Sequence, residues 1–131
     1  MARSLPPMGP AMEFGESGAL ERLQSMTAEE LDALPFGVVG MTADGTVKVY
    51  NRPESELAGL AANTVMGHNF FAEVAPCTNN FMVGQRFLDE PGLDEQLPYV
   101  LTVRMRPTKV KLRMLKSQRH DLMYLLIDRE S

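Results

Sequence analysis

The sequence predicts an α+β domain: a five-stranded antiparallel sheet with short helices packed on one side. Three observations predict it. The last third of the chain alternates apolar and charged residues with period two, as strands do. The middle is broken by Gly59, Asn63, Gly67 and Pro76 into stretches that hold only short helices. A turn signal, Ala43-Asp44-Gly45, separates two β-rich runs near the start. At 131 residues a single domain with a real core is expected, and 44% hydrophobic residues argue against wholesale disorder.

The elements follow in order. Pro6, Pro7, Gly9, Pro10 and Gly15 mark residues 1–17 as extended or poorly ordered on their own, and Leu20, Leu23 and Met26 mark one or two short helical turns; 1–26 is read as a flexible N-terminal arm or cap and 27–131 as the folded domain. Thr27-Ala28-Glu29-Glu30 is a capping box that opens a helix through Leu34, ended by Pro35. Phe36–Met41 and Thr46–Tyr50 form a hairpin. Asn51 caps a short helix with Pro53 in its first turn and Glu54 at its third position. Phe70–Ala75 is a helical segment closed by Pro76, and Asn79–Glu90 carries a helical pattern through Phe81, Met82, Phe87 and Leu88.

The C-terminal strands read from parity. Tyr99, Leu101, Val103 and Met105 share one apolar face, with Arg104 and Arg106 on the other. Val110, Leu112 and Met114 face in; Lys109, Lys111 and Arg113 face out. Leu122–Ile127 is continuously apolar, the mark of a central strand covered on both faces.

Composition bounds the function. A net charge of −4 argues against nucleic acid or an anionic membrane as partner. No apolar run approaches the roughly 20 residues of a membrane span, and Arg3 followed by prolines is not a secretory signal. One cysteine excludes an intrachain disulfide framework, so a cytoplasmic location is expected. Two histidines and one cysteine, widely spaced, make a poor metal site. A Cys77–His68 nucleophilic pair has no third group to orient it, and no enzymatic role is expected.

The most informative residue is that lone Cys77, in His68-Asn69-Phe70-Phe71-Ala72-Glu73-Val74-Ala75-Pro76-Cys77-Thr78. Upstream lies Tyr50-Asn51-Arg52-Pro53-Glu54, whose phenol and carboxyl are four residues apart across a strand-to-helix junction. Taken singly, Cys77 reads as core filler, Tyr50 as a strand-end aromatic and Glu54 as a solvated capping residue. Together, a thiol, a phenol and a carboxyl suit a covalently held, acid-sensitive small molecule. Arg52 reads as solvent-facing; turned inward, it would favour ionised Glu54. The basic face of Lys109, Lys111, Arg113 and Lys116 reads as a solvated strand face, with docking of an acidic partner as the other reading.

The ordered set Leu34-Pro35-Phe36-Gly37, Asp44-Gly45, Tyr-Asn-x-x-Glu, Gly-x-Asn-Phe-Phe, Val-Ala-Pro-Cys-Thr and Met-x-Pro-Thr-Lys-Val-Lys resembles the photoactive yellow proteins, blue-light sensors of the PAS fold. The resemblance runs from about Leu31 to Asp128. It implies p-coumaric acid (4-hydroxycinnamic acid) held as a thioester on Cys77. It also implies a buried phenolate hydrogen-bonded by Tyr50 and a protonated Glu54, with Met105, Val74, Pro76, Leu60 and Ala58 as further chromophore-binding positions. Trans–cis isomerisation followed by proton transfer from Glu54 would leave a buried carboxylate and release the weakly held N-terminal arm. Physical chemistry supports a protonated Glu54 if no cation is near, because burial disfavours the charged form.

The chain also departs from the family pattern. Leu60 stands in place of a lid arginine and Ala58 in place of a threonine that bonds the tyrosine. Leu101 and Val103 replace aromatic residues, the connection over Leu88–Pro98 is about three residues shorter, residues 79–83 align poorly, and the last strand lacks a tryptophan. These changes bear on kinetics, colour and loading, and leave Cys77, Tyr50 and Glu54 intact. Two function classes therefore stand: a photoreceptor that signals to a downstream protein as a monomer or weak dimer, and a chromophore-free PAS module for partner or ligand binding, with Cys77 as a redox-sensitive thiol.

Overall fold

A computed structural model describes residues 12–103 and 106–129. Its centre is one antiparallel sheet of five strands: β1 (Gly37–Met41), β2 (Val47–Tyr50), β3 (Leu93–Val103), β4 (Arg106–Lys116) and β5 (Met123–Arg129), in spatial order β2-β1-β5-β4-β3. The apolar run Leu122–Ile127 does become a central strand. β5 pairs with β1 on one side and β4 on the other, and Met123–Ile127 are buried.

One face of the sheet is covered by the segment between β2 and β3. It contains α3 (Arg52–Ala58), α4 (Ala62–Val65), a π-helical turn over Phe70–Val74, a 3-10 turn over Pro76–Thr78 and α5 (Gly84–Asp89). These elements and the sheet enclose a core of Val39, Met41, Phe70, Phe71, Phe87, Leu101, Leu112, Met114, Leu125 and Ile127. The opposite face is covered as well. There Met12, ahead of α1 (Ala19–Ser25), packs with Leu20 and Leu23 of α1 and Leu31 of α2 (Ala28–Asp32) onto Val38, Leu115, Tyr124 and Leu126. Residues 12–26 of the expected arm thus form a second layer, while residues 1–11 lie outside the described part of the chain.

Local signals account for most boundaries. Thr27 caps α2 with the reciprocal bonds of a capping box: Glu30 N–H donates to Thr27 Oγ1 at 3.1 Å and Thr27 N–H to Glu30 Oε1 at 2.8 Å. Asn51 caps α3, whose end is set by Gly59 in the left-handed region at φ 74°. Helix α5 is shorter than the pattern over Asn79–Glu90 predicts. The side chain of Asn80 accepts the N–H groups of Met82 and Val83 at 3.0 and 3.1 Å, holding that stretch as a turn, and Phe81 is left 87% exposed.

Strand β3 starts six residues earlier than Tyr99. It pairs with β4 continuously from Leu93↔Lys116 to Val103↔Arg106, so most of the supposed connection before Pro98 is strand. Pro98 is tolerated because β3 is an edge strand. Thr102 turns its N–H and C=O away from β4, towards Cys77, and by alternation the missing donor of Pro98 falls on the same free edge.

Arg113 corrects another expectation. It lies on the face opposite Leu112 and Met114, as parity requires, yet it is only 3% exposed. Its guanidinium donates to both carboxylate oxygens of Asp94, at 2.8 and 2.9 Å, and to the carbonyls of Phe14 and Glu16, at 3.0 and 2.7 Å. What reads in sequence as a solvated basic face is, at this position, the anchor of the N-terminal layer. Lys109 and Lys111 are exposed as expected.

Candidate functional site

Tyr50 ends β2 and Glu54 sits one turn into α3, joined by Asn51. All of the polar side-chain capacity of Asn51 is used: Oδ1 accepts from Val38 N–H at 2.8 Å and Glu54 N–H at 3.2 Å, and Nδ2 donates to the carbonyls of Leu31 at 2.8 Å and Phe36 at 3.1 Å. A residue read from sequence as a helix cap is therefore also a buried cross-link, 2% exposed, between β1, α2 and α3. It fixes the direction in which Glu54 leaves the helix.

Glu54 points inward and is 2% exposed. Its carboxylate lies over Gly37 so closely that a Cβ there would overlap Oε1, which explains the glycine at the start of β1. It does not lack a cation. Arg129, at the end of β5, donates from Nη1 to Oε1 at 2.6 Å and from Nη2 to Oε2 at 3.0 Å, and its side chain is 9% exposed. The premise for a protonated Glu54, a buried carboxyl with no cation nearby, is thus overturned by a residue 75 positions away. Arg52, the cation weighed in the sequence, is exposed. Burial still pushes the Glu54 carboxyl above its usual range, opposed by the hydrogen bonds and charge of Arg129.

Tyr50 is 8% exposed, and among the described residues nothing hydrogen-bonds its hydroxyl. Burial raises its pKa, the Glu54 charge adds to that and the Arg129 charge opposes it. The site therefore holds a buried, neutral phenol beside a carboxylate–guanidinium pair.

Cys77 is partly exposed, on the 3-10 turn, and borders the same core cluster to which Tyr50 belongs. Its thiol donates to Thr102 C=O at 3.2 Å and accepts from Thr102 N–H at 3.3 Å, covering the free edge of β3. Its carbonyl is clamped by the Tyr99 hydroxyl at 2.5 Å and the Asn80 amide at 3.1 Å. The preceding π-helical turn is capped by Asn69, which accepts from Ala72 N–H at 3.0 Å. Thr102 and Tyr99 of β3 and Asn80 of the following turn thus fix where this sulfur sits.

Of the other expected site residues, Leu60 and Val74 are partly buried and pack against that core. Ala58, one turn after Glu54 on α3, is half-buried. Pro76 is exposed, because it heads the 3-10 turn with its ring towards solvent, and does not line the core. Met105 lies outside the described residues. His68 is exposed and bonded to Glu73 at 2.8 Å, and among the described residues no group of metal-binding side chains gathers. No described helix is long and apolar enough to cross a membrane.

Sequence reasoning missed Arg129, although parity carried the signal. The residue lies two positions beyond Ile127 and so on the same face of β5 as Leu125 and Ile127. Tyr99 and Asn80, the clamp on Cys77, had no comparable signal, because their meeting depends on how the turn folds back on β3.

No family model matches the chain. Known proteins do. Over 121 residues, 90% of the chain, it is 32% identical to the photoactive yellow protein of Rhodothalassium salexigens and covers 97% of that protein. It is 33% identical to the photoactive yellow protein of Halochromatium salexigens over the same shares of both chains. The chain belongs to the photoactive yellow protein family. Among solved structures, the photoactive yellow protein domain of the sensor histidine kinase Ppr from Rhodospirillum centenum superposes with a TM-score of 0.76, at 35% identity over 83% of this chain and 98% of that domain. The α+β sheet with its short helices is accordingly the PAS fold of these sensors, and the chain is a divergent member of the family.

Proposed function

We propose that the chain is a blue-light photoreceptor that carries p-coumaric acid as a thioester on Cys77. The observation that carries the reading is Tyr50, a buried residue whose hydroxyl has no hydrogen-bond partner among the described residues. An unpaired buried donor costs about 1–3 kcal/mol, and a phenolate oxygen would satisfy it. Cys77 is partly exposed and offers its thiol for acylation once it leaves Thr102, and Leu60 and Val74 offer apolar cover. These residues fit the group; Glu54, which accepts both of its hydrogen bonds from Arg129, fits only once it has gained a proton.

When bound, the p-coumaroyl group supplies light absorption and a trans–cis isomerisation. The chain supplies the rest. Cys77 anchors, Tyr50 donates to the phenolate, and Leu60, Val74 and Ala58 exclude water, with Met105 beside them by family position. Glu54 holds a proton at its carboxyl oxygen in the dark and yields it in the light. Its bare carboxylate then strains the interior by several kcal/mol, against a total stability of about 5–15 kcal/mol, and the N-terminal cap, residues 1–26, loosens from the domain at 27–131. A downstream protein reads that change in the cytoplasm, with the receptor a monomer or weak dimer.

One observation favours a second reading, a chromophore-free PAS module with a redox-sensitive Cys77. The Glu54–Arg129 pair satisfies Glu54 without any ligand. Absorption spectroscopy separates the two. After reaction with activated p-coumaric acid, a visible band in the wild type and none in Cys77→Ala, bleached by blue light and recovering in the dark, supports the photoreceptor. An acylated but colourless and light-insensitive protein overturns it.

A further inference from the structure

We propose that Arg129 is a positioning residue of the light-sensing site: by gripping both oxygens of Glu54, it sets whether the proton at the buried end sits on Glu54 or on a phenol bound beside it. The ligand in this proposal rests on the photoreceptor reading; the ion pair belongs to the chromophore-free chain and is tested there.

The geometry is that of a fork. Two guanidinium N–H groups meet two carboxylate oxygens at 2.6 and 3.0 Å, with both side chains nearly withdrawn from water. A protonated carboxyl has one oxygen occupied by hydrogen and accepts such a fork poorly, so the pair selects the carboxylate. Among the described residues, the groups facing Glu54 are few. β5 contributes Arg129, the end of β2 contributes the neutral Tyr50, and β1 contributes only the backbone of Gly37. Asn51 spends its polar atoms on main-chain groups.

Charge counting then limits the states. Glu54 and Arg129 together are neutral. A phenolate added beside them leaves one uncompensated buried negative charge, which is costly. Neutrality returns in one of two ways. Glu54 takes up a proton, which leaves phenolate, carboxylic acid and guanidinium. Alternatively, the phenol keeps its own proton and donates a hydrogen bond to the Glu54 carboxylate. The two states differ by one proton moved from phenol oxygen to carboxylate oxygen, with no other reactant. A grip on Glu54 favours the phenol; its loss favours the phenolate. Since ionising a phenol moves its absorption to longer wavelength, Arg129 tunes colour without needing to contact the chromophore.

The test begins on the chromophore-free full chain. Infrared spectroscopy at neutral pH, with Glu54→Gln to assign the band, reads the carbonyl stretch of a protonated Glu54. The expected result is no such band in the wild type, a clear band in Arg129→Gln and a weaker one in Arg129→Lys. A protonated Glu54 in the wild type, or an ionised one in Arg129→Gln, overturns the proposal; should Arg129→Gln fail to fold, the wild type and Arg129→Lys still decide it. On protein acylated at Cys77, Arg129→Gln is expected to raise the ratio of visible to near-ultraviolet absorption about tenfold, the change given by one unit of relative acidity. An unchanged ratio overturns the proposal. An adduct that is colourless and light-insensitive in every variant overturns the photoreceptor reading instead, and leaves the infrared result to judge the ion pair alone.

Discussion

The two faces of the sheet each bury an arginine, and the two are held in different ways. On the face that carries Tyr50 and Glu54, Arg129 meets a carboxylate that is itself 2% exposed on its side chain, so the pair is closed off from water. On the other face, Arg113 is deeper still than Arg129, with its side chain 4% exposed, but its carboxylate partner Asp94 is 60% exposed and its remaining bonds go to the carbonyls of Phe14 and Glu16. A closed pair cannot lose one member without stranding the other. A latch of main-chain carbonyls and a solvated carboxylate opens at much smaller cost, because water replaces what is lost. A charge change on the first face is thus strongly felt, and the N-terminal layer on the second is the part able to yield.

The comparison can be broken first at its strongest point. Arg129→Met leaves Glu54 buried and unpaired, and should destabilise the protein by about 3–5 kcal/mol at neutral pH in urea unfolding. The sign with pH is fixed by burial, which raises the Glu54 pKa. Between the unfolded value near 4.3 and the higher folded value, the folded chain holds the extra proton, so the contribution of Glu54 falls as pH rises through that window. The defect of Arg129→Met should therefore shrink on acidification. A defect independent of pH would mean that the pair is not closed.

Next comes the residue that ties the faces together. Asn51 bonds Leu31 of the N-terminal layer and Glu54 of the site helix, so Asn51→Ala removes a cap worth about 1 kcal/mol and strands main-chain groups at about 1–3 kcal/mol more. Thermal unfolding should show a loss nearer that of Arg129→Met than that of a cap alone. Arg113→Met should cost less, about 1–3 kcal/mol, and its mark should be local: faster amide exchange over Ala19–Ser25 with β5 still protected. Exchange accelerated equally in both would show that the N-terminal layer is no separate unit. Thr27→Ala, which breaks the capping box of α2, is the smallest change, about 1 kcal/mol, and should leave a loaded chromophore's spectrum unaltered.

Much of this was legible in the chain. The capping signals at Thr27 and Asn51, the Asp44-Gly45 turn and the period-two pattern through Val110, Leu112 and Met114 each predict the element that forms, because each acts over a few residues. The family motifs singled out Tyr50, Glu54 and Cys77, of which the structure buries Tyr50 and Glu54 and leaves Cys77 partly exposed at the edge of the same core. Hidden from the sequence were the long-range meetings. The early start of β3 was masked by Asp94, Glu95 and Pro98, residues that disfavour a central strand and suit an edge. Arg113 alternates as a surface residue should, and only the layer brought over it by α1 makes it buried. Arg129 lies just past the apolar run that defines β5, where attention to the run ends and parity continues. Its pairing with Glu54 is the largest revision to the site that local pattern suggested.

The most direct test of the central claim, that a charge change on the site face loosens the opposite layer, is hydrogen exchange on the Cys77-acylated protein in the dark and under blue light. The account predicts faster exchange over Ala19–Ser25 in the light, reversing in the dark, while the amides of β4 and β5 stay protected and the Cys77→Ala protein shows no change. Identical exchange in dark and light, or loosening confined to the elements around Cys77, would contradict it.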